Sequence, residues 1–271
     1  MHFDPDHKFN NRFAVMIILG DFILPTQKTF WLDEFLTKLS WLDVLERTGR
    51  STLSRMTKDG WFDVEKVGRR NRYTLTQWGE NVLRQGDLRV FEQAVLDWDG
   101  NWHLVTYSLP DDKRVLRHNL VQQLEWLGYG RISRGTWLSP YDRREPLQQA
   151  LKQPETRNFL HFFVGSYLGN TEINRLIAQC WNFEMVAAEY ERFIEHYRQV
   201  AADLDGQVDS LTAEATFCHR FWLSYDFLPL LRQDPNLPKR FLPDSWSGFE
   251  ARQLYMKLKN QLLIQSDFFS K

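Results

Sequence analysis

The sequence predicts an α+β fold in three parts, and three observations carry it. Residues 43–76 read as an amphipathic helix, a tight turn and a basic two-stranded hairpin. Residues 98–164 give the order strand, helix, hairpin, helix, strand. From Glu172 onward the apolar residues recur at helical spacing. The divisions fall at 1–90, 91–170 and 171–271. A chain of 271 residues, 43% hydrophobic with 20 Phe and 11 Trp, can bury a core in each part.

Residues 11–22 (NRFAVMIILGDF) form an apolar helix that ends before Pro25, because proline disfavours a helical residue before it. Thr29 is expected to cap a second helix with Leu32, Phe35, Leu36 and Leu39 on its buried side. In the next helix Leu45, Thr48 or Gly49, Thr52 or Leu53, and Met56 make one apolar stripe. Arg47, Arg50, Ser51, Ser54, Arg55 and Lys58 fall on the opposite face. Gly60 stops this helix where a left-handed residue is cheap. VEKVGRRNRYTLT then forms a hairpin with a Gly-Arg-Arg-Asn tip.

A helix with a cationic outer face followed by an arginine-tipped hairpin is the pattern of a winged helix-turn-helix. From Arg47 to Arg72 there are eight cations against three acids, net +5, in a chain whose formal net charge is −1. The positive field is therefore local, as a surface that meets double-stranded DNA requires. The bland alternative is a solvated helix followed by an ordinary hairpin. Arg47, Arg50, Ser51, Ser54 and Arg55 are expected to face the major groove, where arginine grips guanine O6 and N7. Lys58, Arg69, Arg70 and Arg72 are expected to hold phosphates. An internal salt bridge is the contrary reading for Arg55. The segment from Val82 to Phe91 reads as a connector or a dimer helix.

In the central part a strand runs through WHLVTYSLP, bounded by Asp99-Gly100 and Pro110. Lys113–Leu127 follows as a helix with Val115, Leu116, Leu120, Leu124 and Leu127 inward. RISRGTWLSP gives two short strands turning at Arg134-Gly135. A helix over 144–152 and a wholly apolar strand over 158–164 complete a ferredoxin-like order, with both helices on one sheet face. There is no glycine-rich phosphate loop, HExxH or nucleophile elbow. Metal-dependent phosphodiester cleavage is the rival reading, and Asp97, Asp99, Asp111 and Asp112 are its candidate carboxylates. They flank a strand beside Gly100 and Pro110, where aspartate is an ordinary turn residue. A protein-binding module using the basic hairpin on an acidic partner is the third reading.

The C-terminal part is helical, broken at Trp181-Asn182, with a polar loop over 201–208. A helix over 212–231 has its end marked by Pro229, Pro235 and Pro238, and a last helix spans 249–264. Cys180 and Cys218 have no CxxC spacing and read as buried free thiols. No secretory pattern and no bilayer-length apolar run is present, so a cytoplasmic location is expected.

Five stretches, in order, carry a resemblance: RSTLSRMTKDGWF (50–62), GRRNRYTLTQWG (68–79), WDGNWHLVTYSLP (98–110), RHNLVQQLEWLGYGRISRGTWLSP (117–140) and LPDSWSGFEARQLY (242–255). They resemble the PaaX family of bacterial repressors, regulators of phenylacetic acid catabolism. The resemblance implies an N-terminal winged helix, a central domain like a CRISPR-adaptation nuclease and a helical C-terminal domain. It also implies a homodimeric, non-enzymatic repressor released from its operator by an acyl-CoA thioester, phenylacetyl-CoA in the namesake. Such an effector needs cations for its phosphates and an apolar slot for its acyl group. Arg131, Arg134, Trp137, Trp222 and Trp246 are the candidates, against the plainer reading that the tryptophans are core and the arginines a solvated rim.

Overall fold

A computed structural model describes residues 9–91, 98–151, 153–169, 172–234, 236–263 and 268–269, without the side chains of 85–91. Asp97 of the central carboxylates, and the side chains of Leu88, Val90 and Phe91 in the connector, lie outside the described residues. Helix and sheet are mixed throughout, and the chain divides into two compact units. One comprises Met1–Asp87, Arg192–Phe227 and Glu250–Lys271, the other Leu88–Glu191 and Leu228–Phe249.

The first unit begins with α1 (Asn11–Ile18), capped by the Asn10 side chain, which accepts the Phe13 N–H at 3.1 Å. Ala14, Val15, Ile17 and Ile18 are buried. The helix then widens into a π turn, Leu19–Ile23, and ends before Pro25. Thr29 is no helix cap: Thr29–Trp31 forms a strand, β1, and α2 (Leu32–Ser40) starts only after it. The competing interaction is sheet pairing, since β1 lies antiparallel on β3 with Phe30 opposite Tyr73. Phe30 is fully buried against Phe35, Phe62 and Tyr73, a burial that a capped turn would forgo. Leu32, Phe35, Leu36 and Leu39 are buried as their spacing requires.

Helix α3 (Glu46–Lys58) buries Gly49, Thr52, Leu53 and Met56. Leu45 is off this stripe: it occupies the N-cap position and is 60% exposed. At Gly49 the helices come so close that a Cβ would stand 2.8 Å from Leu36 and 2.9 Å from Leu39. Gly60, at φ +82°, closes α3 with its own N–H on the Thr57 carbonyl and the Trp61 N–H on that of Met56. That pair of bonds is a Schellman ending. Strands β2 (Phe62–Val67) and β3 (Arg70–Leu75) pair from Phe62–Leu75 to Val67–Arg70, leaving Gly68 and Arg69 as the turn. Gly68 has φ +61°, which the first position of a type II′ hairpin turn demands. The sheet order is β1-β3-β2. Thr76 then caps α4 (Gln77–Phe91), its hydroxyl accepting the Gly79 N–H at 3.1 Å.

In the second unit β4 (Trp102–Tyr107), α5 (Arg114–Trp126), β5 (Gly130–Ser133), β6 (Thr136–Ser139), α6 (Arg144–Ala150) and β7 (Leu160–Gly165) follow in sequence. The antiparallel sheet has the order β5-β6-β4-β7. Val105 and Trp137 face a core completed by Leu120 and Leu124 of α5 and Leu147 of α6. Val115 is not part of it; at 71% exposed it lies off the Leu116–Leu120–Leu124 stripe. Residues of the opposite parity, Trp102, Leu104 and Leu138, face a second core with Ile177 and Trp181. The sheet is thus covered on both faces, the second by α7 (Ile173–Cys180). A 3₁₀ turn over Pro154–Phe159 delays β7 to Leu160, and on this edge strand Phe163 and Val164 are 58% and 54% exposed.

Trp181 breaks the next helix as expected, and Asn182 caps its continuation by accepting the Met185 N–H at 3.1 Å. That helix, α8, runs over Phe183–Leu204, so the expected loop at Ala201 starts four residues late. Alanines at 201 and 202 are strong helix formers, and buried Leu204 anchors the end. Helix α9 (Ala213–Gln233) carries Pro229 inside it and ends two residues beyond the expected Leu231. Helix α10 (Gly248–Gln261) is the last.

A buried polar cluster ties the first unit together. Lys259 Nζ donates to Asp21 Oδ1 at 2.6 Å and to the Tyr255 hydroxyl at 3.0 Å. The Ser224 hydroxyl donates to the other Asp21 oxygen, and Arg220 to the Asp21 carbonyl at 2.5 Å. Burial alone would push the Lys259 ammonium down, but the Asp21 carboxylate more than reverses this and holds it above its ordinary value. Lys259→Met should cost about 3–5 kcal/mol in urea unfolding, because Asp21 is left charged and buried. Adding Asp21→Asn should recover most of that loss. Since folding raises the Lys259 pKa, its stabilisation is complete below the unfolded value of about 10.4. It should fade only as the pH climbs through the higher folded value.

Candidate nucleic-acid interface

Arg47, Arg50, Ser51, Ser54, Arg55 and Lys58 are all exposed along one side of α3. The geometry follows from the 3.6-residue period, which turns this row out when Gly49, Leu53 and Met56 turn in. Arg50 Nε donates to Glu46 Oε1 at 2.7 Å, one turn earlier. The Arg55 Nε–H lies 3.4 Å from the Ser51 carbonyl, so its described partner is a backbone oxygen and no acid. On the hairpin, Arg69 is exposed at the turn. Arg70 lies 4.3 Å over the Trp31 ring and donates to Asp33 at 2.9 Å and Glu34 at 2.8 Å. Arg72 donates to Glu65 at 2.7 Å. Burial pushes the Asp33 carboxyl up, but its bond from Arg70 and backbone N–H groups outweighs this and leaves it below the usual value.

These ion pairs are solvent-exposed except at Glu34, which is half-buried, and an exposed pair contributes about 0–1 kcal/mol. They hold the arginines in place without committing them, and a phosphate can take over the role of each carboxylate at little cost. The arrangement can therefore bind a polyanion along a face about one helix and one hairpin wide.

Among the described residues the rival carboxylates do not converge. Asp99 accepts from the Asn101 N–H at 2.8 Å and its side-chain amide at 3.1 Å, a turn of the ordinary aspartate type. Asp111 is almost fully exposed beside Arg117, at 3.5 Å, and Asp112 is exposed. Among the described residues no group of three or more His, Cys, Asp or Glu side chains comes together.

The second unit contains a cavity of about 360 Å³, and Arg131 and Trp137 both line it. The Arg131 guanidinium lies 6.0 Å from the Trp137 ring. Sequence reasoning missed its other walls: Tyr129, Cys180, Trp181 and Arg232, the last paired with Glu125 at 2.8 Å. No periodicity joins residues a hundred positions apart, so no local signal could have found them. Both indole N–H groups, of Trp137 and Trp181, are buried without a hydrogen-bond partner among the described residues. Burial pushes the Tyr129 phenol well up, and Cys180 up to about 11. Arg134 sits on the exposed β5–β6 turn. Trp246 is buried edge-on to Phe183 and Tyr190, and Trp222 packs in the first unit against Phe9 and Tyr225.

Three family models match successive parts of the chain: "PaaX-like protein" over residues 11–79, "PaaX protein central Cas2-like domain" over 96–177, and "PaaX-like protein C-terminal domain" over 181–271. The chain belongs to the PaaX family, and its central domain is Cas2-like. It is 29% identical over 244 residues to the transcriptional repressor PaaX of Escherichia coli strain K12, covering 89% of this chain and 77% of that one. An uncharacterized protein, Rv0674 from Mycobacterium tuberculosis, has a similar solved fold, with a TM-score of 0.53 and 18% identity. The match covers 92% of this chain and 95% of the other.

Cys180 serves as a reporter on the cavity wall. With its thiol pushed up to about 11, it should react with a disulfide reagent at pH 7.5 at least about tenfold more slowly than an unperturbed thiol, the scarcer thiolate being partly offset by its greater nucleophilicity. Its rate should still be rising with pH above 9. Cys218, also near 11, is removed for this measurement as Cys218→Ser.

Proposed function

We propose that this protein is a DNA-binding transcriptional repressor. Residues 1–90 would be a winged helix-turn-helix, 91–170 a ferredoxin-like domain and 171–271 a helical C-terminal domain. The observation that carries the reading is the continuous exposed row Arg47, Arg50, Ser51, Ser54, Arg55 and Lys58, followed by the arginine-bearing hairpin. Helix α3 is the reading helix, and the hairpin with Arg69, Arg70 and Arg72 is the wing on the backbone. The relative from Escherichia coli, named a transcriptional repressor, supports the same role. A homodimer on a two-fold operator supplies the specificity one such module lacks, through the connector after Val82 or through α10. No cofactor or catalysis is part of this function, and the protein acts in the cytoplasm, where its DNA is.

The effector is an acyl-CoA thioester, phenylacetyl-CoA by family resemblance. A cavity of about 360 Å³ with an indole wall and an arginine suits an aromatic acyl group. The rest of the coenzyme would lie outside it, toward cations such as Arg134. No helix among the described residues is long and apolar enough to cross a membrane.

Gel-shift on the protein's own promoter region, at about physiological salt and with a panel of thioesters, tests both parts. Arg50→Ala should cost about 1–3 kcal/mol on the specific site and little on random DNA. Arg70→Ala should weaken both alike and lower the salt slope by about 1. Release by one thioester, lost in Arg131→Ala, supports the effector. Retention that no thioester alters removes it. No specific retention removes the repressor reading, and magnesium- or manganese-dependent cleavage is then the measurement to make.

A further inference from the structure

Beside the end of the α3 row at Lys58, residues of α1 and α3 line a second, open cavity of about 360 Å³. Three cations line it: Arg12 from the first turn of α1, and Arg55 and Lys58 from the last turns of α3. Asp59 is the one acid on its wall and is ion-paired with Arg12. The cavity also reaches Asn10 and Asn11, at the start of α1. A helix leaves its first N–H groups without intrahelical carbonyls and carries a partial positive charge at that end. Asn10 takes up one of them, that of Phe13.

A second observation is independent of charge. Thr52, only 3% exposed, borders the cavity, and its hydroxyl has no hydrogen-bond partner among the described residues. A buried hydroxyl left unpaired is costly, and native structures rarely keep one without a use. The combination of a donor hydroxyl, a helix N-terminus and three cations suits a tetrahedral oxyanion.

We propose that this cavity is a phosphate-binding pocket, and that it takes one phosphate of the DNA backbone beside the bases read by α3. The inference rests on the DNA-binding reading and adds Arg12 and Thr52 to it. The Arg12–Asp59 pair is the resting state. Its side chains are 44% and 47% exposed, so it exchanges readily for a phosphate. A phosphate contact of this kind carries affinity without sequence preference.

The experiment measures DNA affinity of the full chain as a function of salt. Arg12→Ala should lower the salt slope by about 0.9 and weaken binding about tenfold at 0.1 M salt, alike on specific and random DNA. Arg12→Lys should restore most of it, and Asp59→Asn should tighten binding. Thr52→Val keeps the side chain's shape and should leave thermal stability level or higher while weakening DNA binding. A purely structural Arg12 would move melting temperature and leave the slope unchanged, and that result overturns the proposal. Titration calorimetry with inorganic phosphate separates the two sources of the anion. Heat abolished by Arg12→Ala shows a pocket that also takes free phosphate. No heat together with an altered slope assigns it to the DNA backbone alone. If the wild type binds no DNA, the DNA-binding reading has failed, and absence of phosphate heat then overturns the pocket as well.

Discussion

The first unit depends on one buried ion pair. Asp21 lies where α1 widens into a π turn, and Lys259 lies in α10, 238 residues further on. Neither charge is tolerable in that interior alone, so each requires the other, with Ser224, Arg220 and Tyr255 completing the bonds. The π turn has a reason in this setting. A regular helix would leave Asp21 at a different angle, and the widened turn directs both carboxylate oxygens to donors on α9 and α10. The helices at the end of the chain are therefore part of the unit that carries the proposed DNA-reading surface. A compact unit built of residues 1–87, 192–227 and 250–271 is the structural consequence.

From that anchor the geometry of the interface follows in steps. Fixing α1 fixes the floor on which α3 lies. The absence of a side chain at Gly49 lets α3 approach α2 until a Cβ would collide with Leu36 and Leu39. With its inner stripe seated, α3 has one rotational setting, and the row from Arg47 to Lys58 must face water. The Schellman ending at Gly60 then turns the chain into β2, so the hairpin leaves at a defined angle. Trp31, at the end of β1, receives Arg70 on its face, and Arg70 ties the turn end of the hairpin to Asp33 and Glu34 of α2.

Much of this was legible locally. The stripe of α3 apart from Leu45, the stop at Gly60, the hairpin tip and the break at Trp181-Asn182 are signals each written within about ten residues, and they fall at the expected positions. What failed was decided at a distance. Thr29 has the chemistry of a cap, and only the partner strand β3 makes it a strand residue instead. Val115 is apolar and adjoins the inner residues, yet the stripe through Leu120 and Leu124 leaves it outside. The cavity lined by Arg131 and Trp137 was half visible. Its walls at Trp181 and Arg232 are set by the packing of α7 and α9, which no spacing rule encodes.

The same chemical pairing, carboxylate with cation, appears here at two burials and with two consequences. Lys259 with Asp21 is almost wholly inside, has no solvent to fall back on, and is a fixed part of the fold. Arg12 with Asp59, Arg50 with Glu46, and Arg70 with Asp33 and Glu34 stand in water, where each pair is worth little and can open without loss. In a chain of net charge −1, such acids mask the cations from one another and keep their side chains extended over the surface. A polyanion that offers several phosphates at once displaces these carboxylates together and releases its own counterions in doing so. The exposed pairs are thus the part of the charge inventory that a ligand can compete for, and the buried pair is the part that keeps the competing surface in shape.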